Sequence, residues 1–476
     1  MFIGRERELK DLEGFWGRDT GVLITCRGRR RIGKSTLIAE FASRSAKAFF
    51  SFVGLAPRKG MSDARQRRHL CETIAEYAGR DYLEANTWSK AFRQLDDLLR
   101  DCGRTVVLLD EISWMGGYDP DFAGYLKEAW DNYLRKHDNL ILVLCGSVSA
   151  WIAENILNST GFVGRNSFDI ALGELSLADS VKLLGPMHNR LSTTEKFDLL
   201  SLTGGVPKYL EEIRPELSVD ENFRRLCFLP HSLLFREFDE TFNEVFGKRV
   251  ATRGHVLQML IDRRLSTSEL AKRDAKTENG SYIAALRDLM YAGFVAEDVG
   301  LSPITGKPVK QSRYRIMDNY ARFYLKTIQP RIEAIKTGLF EFSTLEQLNG
   351  WDSILGFQFE NSILNHVNDL FPHLGLEHSL VLSAAPYVQN GTKRQHGCQI
   401  DLLIQTERML MVVEIKRQKK IGHDIISEVD EKIRRLKYDR RKSVRTALVY
   451  DGDLTPSVPA DHYFDFIVPA EKLLGA

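Results

Sequence analysis

Short apolar runs alternate with amphipathic stretches over the first 175 residues. GVLITCRG at 21–28, TVVLLDE near 105–111 and LILVLCGS near 140–147 are almost wholly apolar, which predicts strands buried on both faces. Helical periodicity separates these runs, and KSTLIAEFA from residue 34 predicts the helix that follows the first strand. The alternation predicts an α/β domain built on a parallel sheet that is covered on both faces.

The pattern changes after about residue 176. Helical periodicity predominates to about 245, and residues 250–325 predict a compact helical unit that ends in two strands around GLSPITGKPVKQSRYRI. After a poorly patterned connector, the chain predicts a second α/β unit with helix 357–369, strands near 379–384, 399–405 and 409–415, a helix near 424–437 and the strand VRTALVY. We therefore expect domains at 1–175, 176–249, 250–328 and 345–476.

Composition limits the classes of protein that fit. A length of 476 residues calls for several domains, and 43% hydrophobic with 27% charged residues is typical of a globular protein. The balance of 66 basic against 64 acidic residues argues that any nucleic-acid surface is local. Six scattered cysteines without a CxxC pair favour buried, reduced thiols. The charged N-terminus and the short apolar runs predict a cytoplasmic protein without a signal peptide or membrane span.

GRRRIGKS at 28–35 fits the P-loop pattern GxxxxGK[ST] and lies between a predicted strand and a predicted helix. Gly28 and Gly33 let the backbone curl so that its N–H groups point at phosphate oxygens. Lys34 is predicted to reach the β- and γ-phosphates of ATP, and Ser35 to hold Mg²⁺. Thr36, the next residue, is also predicted to contact the nucleotide. A chance Gly-Lys-Ser turn is the alternative, and the flanking elements argue against it.

VVLLDE places Asp110 and Glu111 at the carboxyl end of a buried strand, over the ligand crevice of a parallel sheet. Asp110 is predicted to join the Mg²⁺ shell, and Glu111 to orient and polarise the attacking water. Ser147, at the end of the next strand, can sense the γ-phosphate or merely cap a helix. Arg165 in FVGRN is a candidate arginine finger, with an ordinary surface arginine as the alternative.

Six motifs occur in the order seen in archaeal-type ATPases of the AAA+/STAND side of the P-loop NTPases, and the chain resembles that family over roughly its first 330 residues. The motifs are FIGRERELKDL, GRRRIGKST, VVLLDE, LCGS, GFVGR and TGGVPKYL. The resemblance implies that Ile3, Gly4 and Arg5 help frame the adenine. It also implies that Gly205 and Pro207 belong to a helical lid that senses the nucleotide.

The three helices predicted between 254 and 295, followed by a basic hairpin, favour a winged helix whose third helix enters a DNA major groove. The hairpin carries Lys307, Lys310, Arg313 and Arg315. The same fold often serves only as a docking unit, so DNA binding and protein–protein contact both remain open.

QIDLLIQTERMLMVVEIK carries Asp401 on one predicted strand and Glu414 with Lys416 on the next, where a spacing of two puts them on one face. Glu360, on an otherwise apolar helix, can project toward the same place. Three carboxylates and a lysine suit phosphodiester hydrolysis that depends on Mg²⁺ or Mn²⁺. The alternative is an edge carboxylate beside a lysine with no catalytic role.

This arrangement resembles the PD-(D/E)XK nuclease superfamily, particularly Holliday-junction-resolvase-like members, although Ile400 stands where proline is common. Between Lys416 and Arg445, twelve basic against five acidic residues give a net charge of +7, which favours contact with a nucleic-acid backbone.

Together these features predict an α/β chain with a P-loop ATPase core, a helical lid, a winged helix and a restriction-endonuclease-like C-terminal domain. The favoured function is nucleotide-controlled processing of nucleic acid, DNA or another, in genome defence or mobile-element control, with a homo-oligomer as one working form. One alternative is an ATP-driven switch whose tail is catalytically inactive. Another is a nucleotide-gated scaffold with negligible ATP turnover, against which the intact Glu111 counts.

Overall fold

The computed structural model describes residues 2–147, 149–273, 279–309, 312–340, 344–391 and 396–475. The chain divides into two compact units. The first comprises residues 1–174 with 291–293, and the second comprises 175–290 with 294–476. The boundary at 174 lies one residue from the predicted end of the ATPase core. The predicted boundaries near 249 and 328 fall inside the second unit and stay predictions.

The first unit is an α/β unit with a parallel five-stranded sheet, which confirms the predicted class. Its strands are β1 (Val22–Arg27), β2 (Ala48–Val53), β3 (Thr105–Asp110), β4 (Leu140–Gly146) and β5 (Asn166–Ala171). They run in the order β2-β3-β4-β1-β5, and each neighbouring pair is parallel. The strand β4 therefore lies between the strand that precedes the P-loop and the strand that ends at Asp110.

The helices of this unit follow the strands. They are Glu6–Glu13, Lys34–Ser45, Asp63–Ala78, Trp88–Leu99, Ile112–Gly116, Phe122–Asn132 and Ser149–Ile152, continued by the π-helical turn Ala153–Leu157, with 3₁₀ turns at Leu134–Lys136 and Thr160–Phe162. Ser62 and Thr87 cap two of the helices by accepting backbone N–H groups. A buried cluster on one face of the sheet includes Trp88, Phe92 and Phe122, packed ring against ring.

The second unit begins with helices, as the sequence predicts. They are Leu177–Leu183, Thr193–Thr203, Pro207–Leu210, Val219–Cys227 and Leu233–Phe246, with a 3₁₀ turn at Pro186–Arg190. Helices Val250–Leu260, Thr267–Arg273 and Asn279–Tyr291 follow, and then the antiparallel pair β6 (Val295–Asp298) and β7 (Arg313–Ile316). The strand β6 lies before the predicted stretch GLSPITGKPVKQSRYRI. Between the two strands, the described residues form a loop in which Leu301 and Pro308 make a β-bridge.

Short helices connect this region to the last sheet. They are Asn319–Phe323, Tyr324–Ile328, Gln329–Arg331, Ile332–Lys336 and Leu345–Gln347, followed by the long helix Trp351–Asn365 and the short Val367–Leu370 and Pro372–Leu374. The long helix is buried along most of its length, and its buried residues include the polar Gln358, Asn361 and Ser362.

The last sheet has five strands in the order β12-β11-β10-β9-β8. They are β8 (Ser383–Gln389), β9 (Cys398–Gln405), β10 (Met409–Ile421), β11 (Ser443–Leu454) and β12 (Phe466–Pro469), with helix Asp424–Arg435 between β10 and β11. Helix Ser457–Ala460 and the 3₁₀ turn Ala470–Leu474 flank β12. The pairs β8–β9 and β9–β10 are antiparallel, and the pairs β10–β11 and β11–β12 are parallel. The edge strand β8 begins later than predicted and has a register shift at Pro386, which cannot donate to a ladder.

Candidate functional site

The P-loop joins β1 to helix Lys34–Ser45, and its backbone requires glycine at both ends. A Cβ added to Gly28 would lie 2.4 Å from the carbonyl oxygen of Leu172, so only glycine fits there. Gly33 has a φ of +91° and immediately precedes the helix. The N–H groups at the start of this helix, which have no partner within the helix, therefore lie at the loop. This arrangement favours the binding of anions.

The polar side chains of the motif converge on the loop and on the end of β3. Lys34 is buried, and its Nζ donates to the carbonyl oxygens of Gly28 and Arg29, each at 3.0 Å. Ser35 Oγ donates to Asp110 Oδ2 at 2.5 Å. A hydroxyl and a carboxylate side by side are oxygen donors of the kind that Mg²⁺ prefers, so this pair fits the predicted metal. Thr36 is exposed on the first turn of the helix.

Glu111 is positioned by Ser147 at the end of the neighbouring strand β4. The carboxylate oxygen Oε2 of Glu111 accepts the Ser147 hydroxyl at 2.9 Å and the Ser147 N–H at 3.2 Å. Ser147 is 1% exposed, and the backbone of Glu111 is left-handed with a φ of 48°. The sequence predicts a phosphate-sensing role for Ser147, and it does not indicate this contact. The contact follows from the position of β4 beside β3.

Arg165 forms a bidentate ion pair with Asp131. Its Nε and Nη2 donate to the two carboxylate oxygens at 2.7 and 2.9 Å. The hydrogen bond from Arg165 holds the pKa of Asp131 below its usual value. Because the guanidinium is engaged on helix Phe122–Asn132, a role on a nucleotide requires this pair to open.

Arg5 links the N-terminal segment to the P-loop. It has a φ of 68° at the start of helix Glu6–Glu13, and its guanidinium donates to the carbonyl oxygens of Gly173 at 2.6 Å and Ile32 at 3.5 Å. Gly4, with a φ of 73°, and the partly buried Ile3 precede it. Arg5 also pairs with Glu8 at 3.5 Å, and the framing of adenine by these residues stays a prediction.

A cluster of three polar side chains, Thr25, Arg27 and Asp169, lies between β1 and β5 and was not predicted from the sequence. Asp169 accepts the hydroxyl of the fully buried Thr25 at 2.7 Å and pairs with Arg27 at 2.9 Å. A buried threonine and an arginine in an otherwise apolar strand were the available signal. This group fixes β5 against the strand that leads into the P-loop.

Pro207 belongs to the second unit, where it begins the short helix Pro207–Leu210. The carbonyl oxygen of Gly205 accepts the Leu175 N–H at 2.8 Å, which fixes the preceding loop. The nucleotide-sensing role of Pro207 stays a prediction.

Asp401 and Glu414 lie beside each other on the antiparallel strands β9 and β10, where Leu402 pairs with Val413. Asp401 Oδ2 accepts the N–H of Ile415 at 3.1 Å. Burial raises the pKa of Asp401, and the nearby Glu360 adds to that effect. Burial, followed by the charge of Asp401, raises the pKa of Glu414 to about 7. The two strands therefore bring two of the three predicted carboxylates together.

The third predicted carboxylate, Glu360, is ion-paired with Arg264. Glu414 is paired with two lysines, Lys416 at 3.1 Å and Lys432 at 2.6 Å. Within the ranges that the structure describes, no group of three or more His, Cys, Asp or Glu side chains is arranged to hold a metal ion. The facing pair Asp401 and Glu414 still fits Mg²⁺ by its chemistry, since Mg²⁺ is often held by one or two carboxylates together with substrate phosphates.

A cavity of about 550 Å³ opens beside this pair. Asp401 lies in its wall together with Glu428, Lys432 and Arg435 of helix Asp424–Arg435 and the ends of the hairpin β8–β9. In the sequence, Lys432 is one of the twelve basic residues between Lys416 and Arg445. Its spacing of four from Glu428, on the helix after the motif strand, was the signal that could have singled it out.

The basic hairpin of the predicted winged helix is partly engaged inside the second unit. Arg313 donates to Glu269 at 2.9 Å. Arg315 is buried and bonds to Asp298 at 3.0 Å and to Asn365 at 2.8 Å. Lys310 lies outside the described residues. These two arginines hold the hairpin to its own unit, and DNA binding by the hairpin stays a prediction.

Comparison with known proteins finds a family that the N-terminal part of the chain matches. Residues 2–213 match the family described as an ATPase domain predominantly from Archaea. The chain is 23% identical over 370 residues to the uncharacterized protein MJECL04 of Methanocaldococcus jannaschii, which covers 76% of each chain. Among the described residues, no helix combines the length and the apolar character that crossing a bilayer requires.

Two solved structures also resemble the chain. The Walker-type ATPase PABY2304 of Pyrococcus abyssi is 17% identical, with a TM-score of 0.46 over 68% of this chain and 96% of that one. The ORC2 protein of Aeropyrum pernix is 13% identical, with a TM-score of 0.44 over 71% of this chain and 96% of that one. Such TM-scores do not by themselves establish a common fold, and the assignment depends on the family match. Residues 2–213, which include the P-loop and the acidic pair after β3, are therefore similar to ATPase domains found predominantly in Archaea.

Proposed function

We propose that the chain binds ATP with Mg²⁺ at the P-loop and hydrolyses it with Glu111. The observation that carries this proposal is the pair of hydrogen bonds from Ser147 to Glu111, one residue from the Ser35–Asp110 pair. A carboxylate held at this point can act as the general base for a water that lies within hydrogen-bond reach of it.

The other residues of the P-loop have distinct tasks in this proposal. Lys34 neutralises the β- and γ-phosphates, and the N–H groups of the loop and helix start bind their oxygens. Ser35 and Asp110 hold Mg²⁺, which when bound offsets charge on the phosphates. Thr36, exposed on the first turn of the helix, also contacts the nucleotide. Ile3, Gly4 and Arg5 border the adenine, and Pro207 belongs to the element that responds to the nucleotide.

Phosphate release and binding of a fluorescent ATP analogue by the full chain test this proposal. Lys34→Ala should remove nucleotide binding and turnover together, because its ammonium acts on the bound phosphates in the ground state. Lys47→Ala is the matched control, since Lys47 is exposed and precedes the amino end of β2, away from the P-loop. Unchanged turnover in Lys34→Ala would overturn the proposal.

A second function is proposed for the C-terminal sheet, namely cleavage of nucleic-acid phosphodiester bonds with Mg²⁺ or Mn²⁺. The observation in its favour is the facing pair of Asp401 and Glu414 beside Lys416 and a cavity of about 550 Å³. Asp401 and Glu414 would hold the metal, which activates water when bound. Lys416 would support the nucleophile or the developing charge. Glu360 would take part only after leaving Arg264.

In this proposal the ATPase controls access to the tail, and the region 250–328 binds DNA as a winged helix. Three helices followed by β6 and β7 are the element order that such a domain has. Action of Arg165 on the nucleotide of a second copy would require a homo-oligomer.

The alternative is an ATP-driven switch whose tail binds DNA or a partner without cutting it. The ion pairs of Glu360 with Arg264 and of Glu414 with Lys432 favour this alternative, because each neutralises a proposed metal ligand. A cleavage assay of the full chain on duplex, single-stranded and branched DNA, with Mg²⁺ and then Mn²⁺, decides between the two. Binding without cleavage on every substrate supports the switch.

A further inference from the structure

Lys432 places its ammonium on the carboxylate of Glu414. Its Nζ lies 2.8 Å from Oε1 and 2.6 Å from Oε2, so both oxygens accept from the same cation. Glu414 is 1% exposed, and the side chain of Lys432 is 19% exposed. The lysine comes from helix Asp424–Arg435, outside the motif strand that carries Lys416.

Glu428 and Lys416 complete a compact group of four charges. Lys432 Nζ lies 3.1 Å from Glu428 Oε1, and Lys416 Nζ lies 3.0 Å from the same oxygen. Each lysine therefore bridges both glutamates, and the charge of Asp401 also acts on Lys432. Since both glutamates already have two cationic partners, a further cation at Glu414 competes with the two lysines for its oxygens.

We propose that Lys432 keeps the Asp401–Glu414 pair closed to divalent metal, and that a nucleic-acid phosphate opens the pair by drawing the ammonium of Lys432 away. The inference rests on the proposed metal-dependent function of the tail. It assigns to Lys432 a task different from that of Lys416, because Lys432 competes with the metal for the same carboxylate oxygens.

The position of Lys432 supports this exchange. The same side chain that pairs with Glu414 also lines the cavity of about 550 Å³, together with Arg435 one helical turn later. A phosphate in that cavity offers Lys432 a new anionic partner and frees an oxygen of Glu414. The phosphate also supplies the additional ligand that Mg²⁺ takes when a site has only one or two carboxylates.

Thermodynamic linkage makes the proposal measurable without any cleavage. If nucleic acid tightens metal binding, metal must tighten nucleic-acid binding by the same factor. Removing the ammonium of Lys432 should raise metal affinity in the absence of nucleic acid, because the carboxylates lose their competing cation. It should also reduce the factor by which nucleic acid promotes metal binding.

Isothermal titration of Ca²⁺ into the nucleotide-free full chain tests these expectations, with and without a mixed-sequence DNA duplex or its separated strands. Asp401→Asn serves as the blank that defines binding at the tail. For the native chain, DNA should tighten Ca²⁺ binding by about tenfold or more. Lys432→Met should bind Ca²⁺ without DNA about tenfold tighter than the native chain. Lys437→Met makes the same charge change at an exposed position after the helix, and without DNA it should bind Ca²⁺ as the native chain does.

The possible contrary results separate the two proposals. If the native chain binds Ca²⁺ as tightly as Lys432→Met without DNA, or if Lys432→Met binds more weakly, the task assigned to Lys432 is wrong and the metal site survives. If no protein shows Ca²⁺ binding that Asp401→Asn removes, with or without DNA, the metal-dependent function of the tail fails. ATP turnover shows whether Lys432→Met is folded. Lys432→Gln, which also removes the charge, shows whether a loss of binding is specific to the methionine.

Discussion

The carboxylates of the ATP site and Glu414 of the tail have partners of opposite kinds. In the first unit Asp110 accepts from the hydroxyl of Ser35, and Glu111 accepts from the hydroxyl and N–H of Ser147. In the second unit Glu414 accepts from the ammonium groups of Lys416 and Lys432. A neutral donor orients a carboxylate without offsetting its charge, whereas an ammonium group also neutralises it.

This difference separates a carboxylate that is ready for a cation from one that must first exchange its partner. The pair Ser35 and Asp110 can accept Mg²⁺ with the loss of one neutral hydrogen bond. Glu414 must lose an ion pair that is largely shielded from water, which costs more than the loss of an exposed one. We therefore expect nucleotide turnover to need ATP and Mg²⁺ alone, and tail chemistry to need its nucleic acid as well.

Arg165 offers the strongest test of the comparison, because this candidate catalytic residue of the first unit is itself held in an ion pair with a carboxylate. If Arg165 acts as an arginine finger, Arg165→Ala should lower ATP turnover by about 10³-fold or more while ATP affinity changes little. Phosphate release and nucleotide titration measure the two effects. Asp131→Ala is the matched control, since it frees the guanidinium and should keep most of the turnover.

Two further results bear on Arg165. Equal losses of turnover and of thermal stability in Arg165→Ala and Asp131→Ala would assign the pair a structural role. Recovery of activity on mixing Arg165→Ala with Lys34→Ala would show that the finger acts on a neighbouring copy.

Glu111→Gln should lower ATP turnover by about 10²- to 10⁴-fold with ATP binding retained. The amide keeps the shape of the side chain and loses the basic oxygen that accepts a proton from water. Single-turnover hydrolysis separates this effect from product release. Glu154→Gln, at an exposed position of the same unit, should behave as the native chain. Native turnover in Glu111→Gln would show that another residue acts as the base.

Asp401→Asn should lower nucleic-acid cleavage by more than about 100-fold while ATP turnover stays near the native value. The asparagine removes a charge from the proposed metal pair and leaves the ATPase unit unchanged. Cleavage and phosphate release measured on the same preparation test both parts. Asp430→Asn is the control, because Asp430 is half-exposed on the helix and pairs with Arg434. Parallel loss of both activities would mean that the substitution disturbs the fold.

The fold was predictable where the apolar runs are long and uninterrupted. The central strands β1, β3 and β4 lie within a residue or two of the predicted runs, since each is buried along its length. The edge strand β2 and the polar strand β5 were missed, because AFFSFV is only partly buried and NSFDIA mixes polar with apolar residues. The strand β12 was missed because it has only four residues.

The candidate sites were predictable to the extent that they are contiguous in sequence. The P-loop and the acidic pair after β3 are local motifs, whereas the contact of Ser147 with Glu111 depends on the order of the strands. Lys432 became recognisable only with the packing of its helix, in which Ile425 and Val429 are buried and turn the adjacent Glu428 and Lys432 toward the motif strand.

Ser147→Ala should produce the smallest of these effects. It tests directly whether a neutral hydrogen-bond donor orients the carboxylate of Glu111. It removes one hydrogen bond at 2.9 Å and leaves the backbone N–H of residue 147 to hold Glu111. Loss of a hydrogen bond to a charged group corresponds to about tenfold in rate, so turnover should fall by that factor. ATP affinity should change less, because the proposed task of Ser147 is to orient the base. Ser147→Thr keeps the hydroxyl and should recover part of the rate if the tightly packed site admits its methyl group. A fall in affinity as large as the fall in turnover would instead support the phosphate-sensing role, in which Ser147 acts on the nucleotide directly.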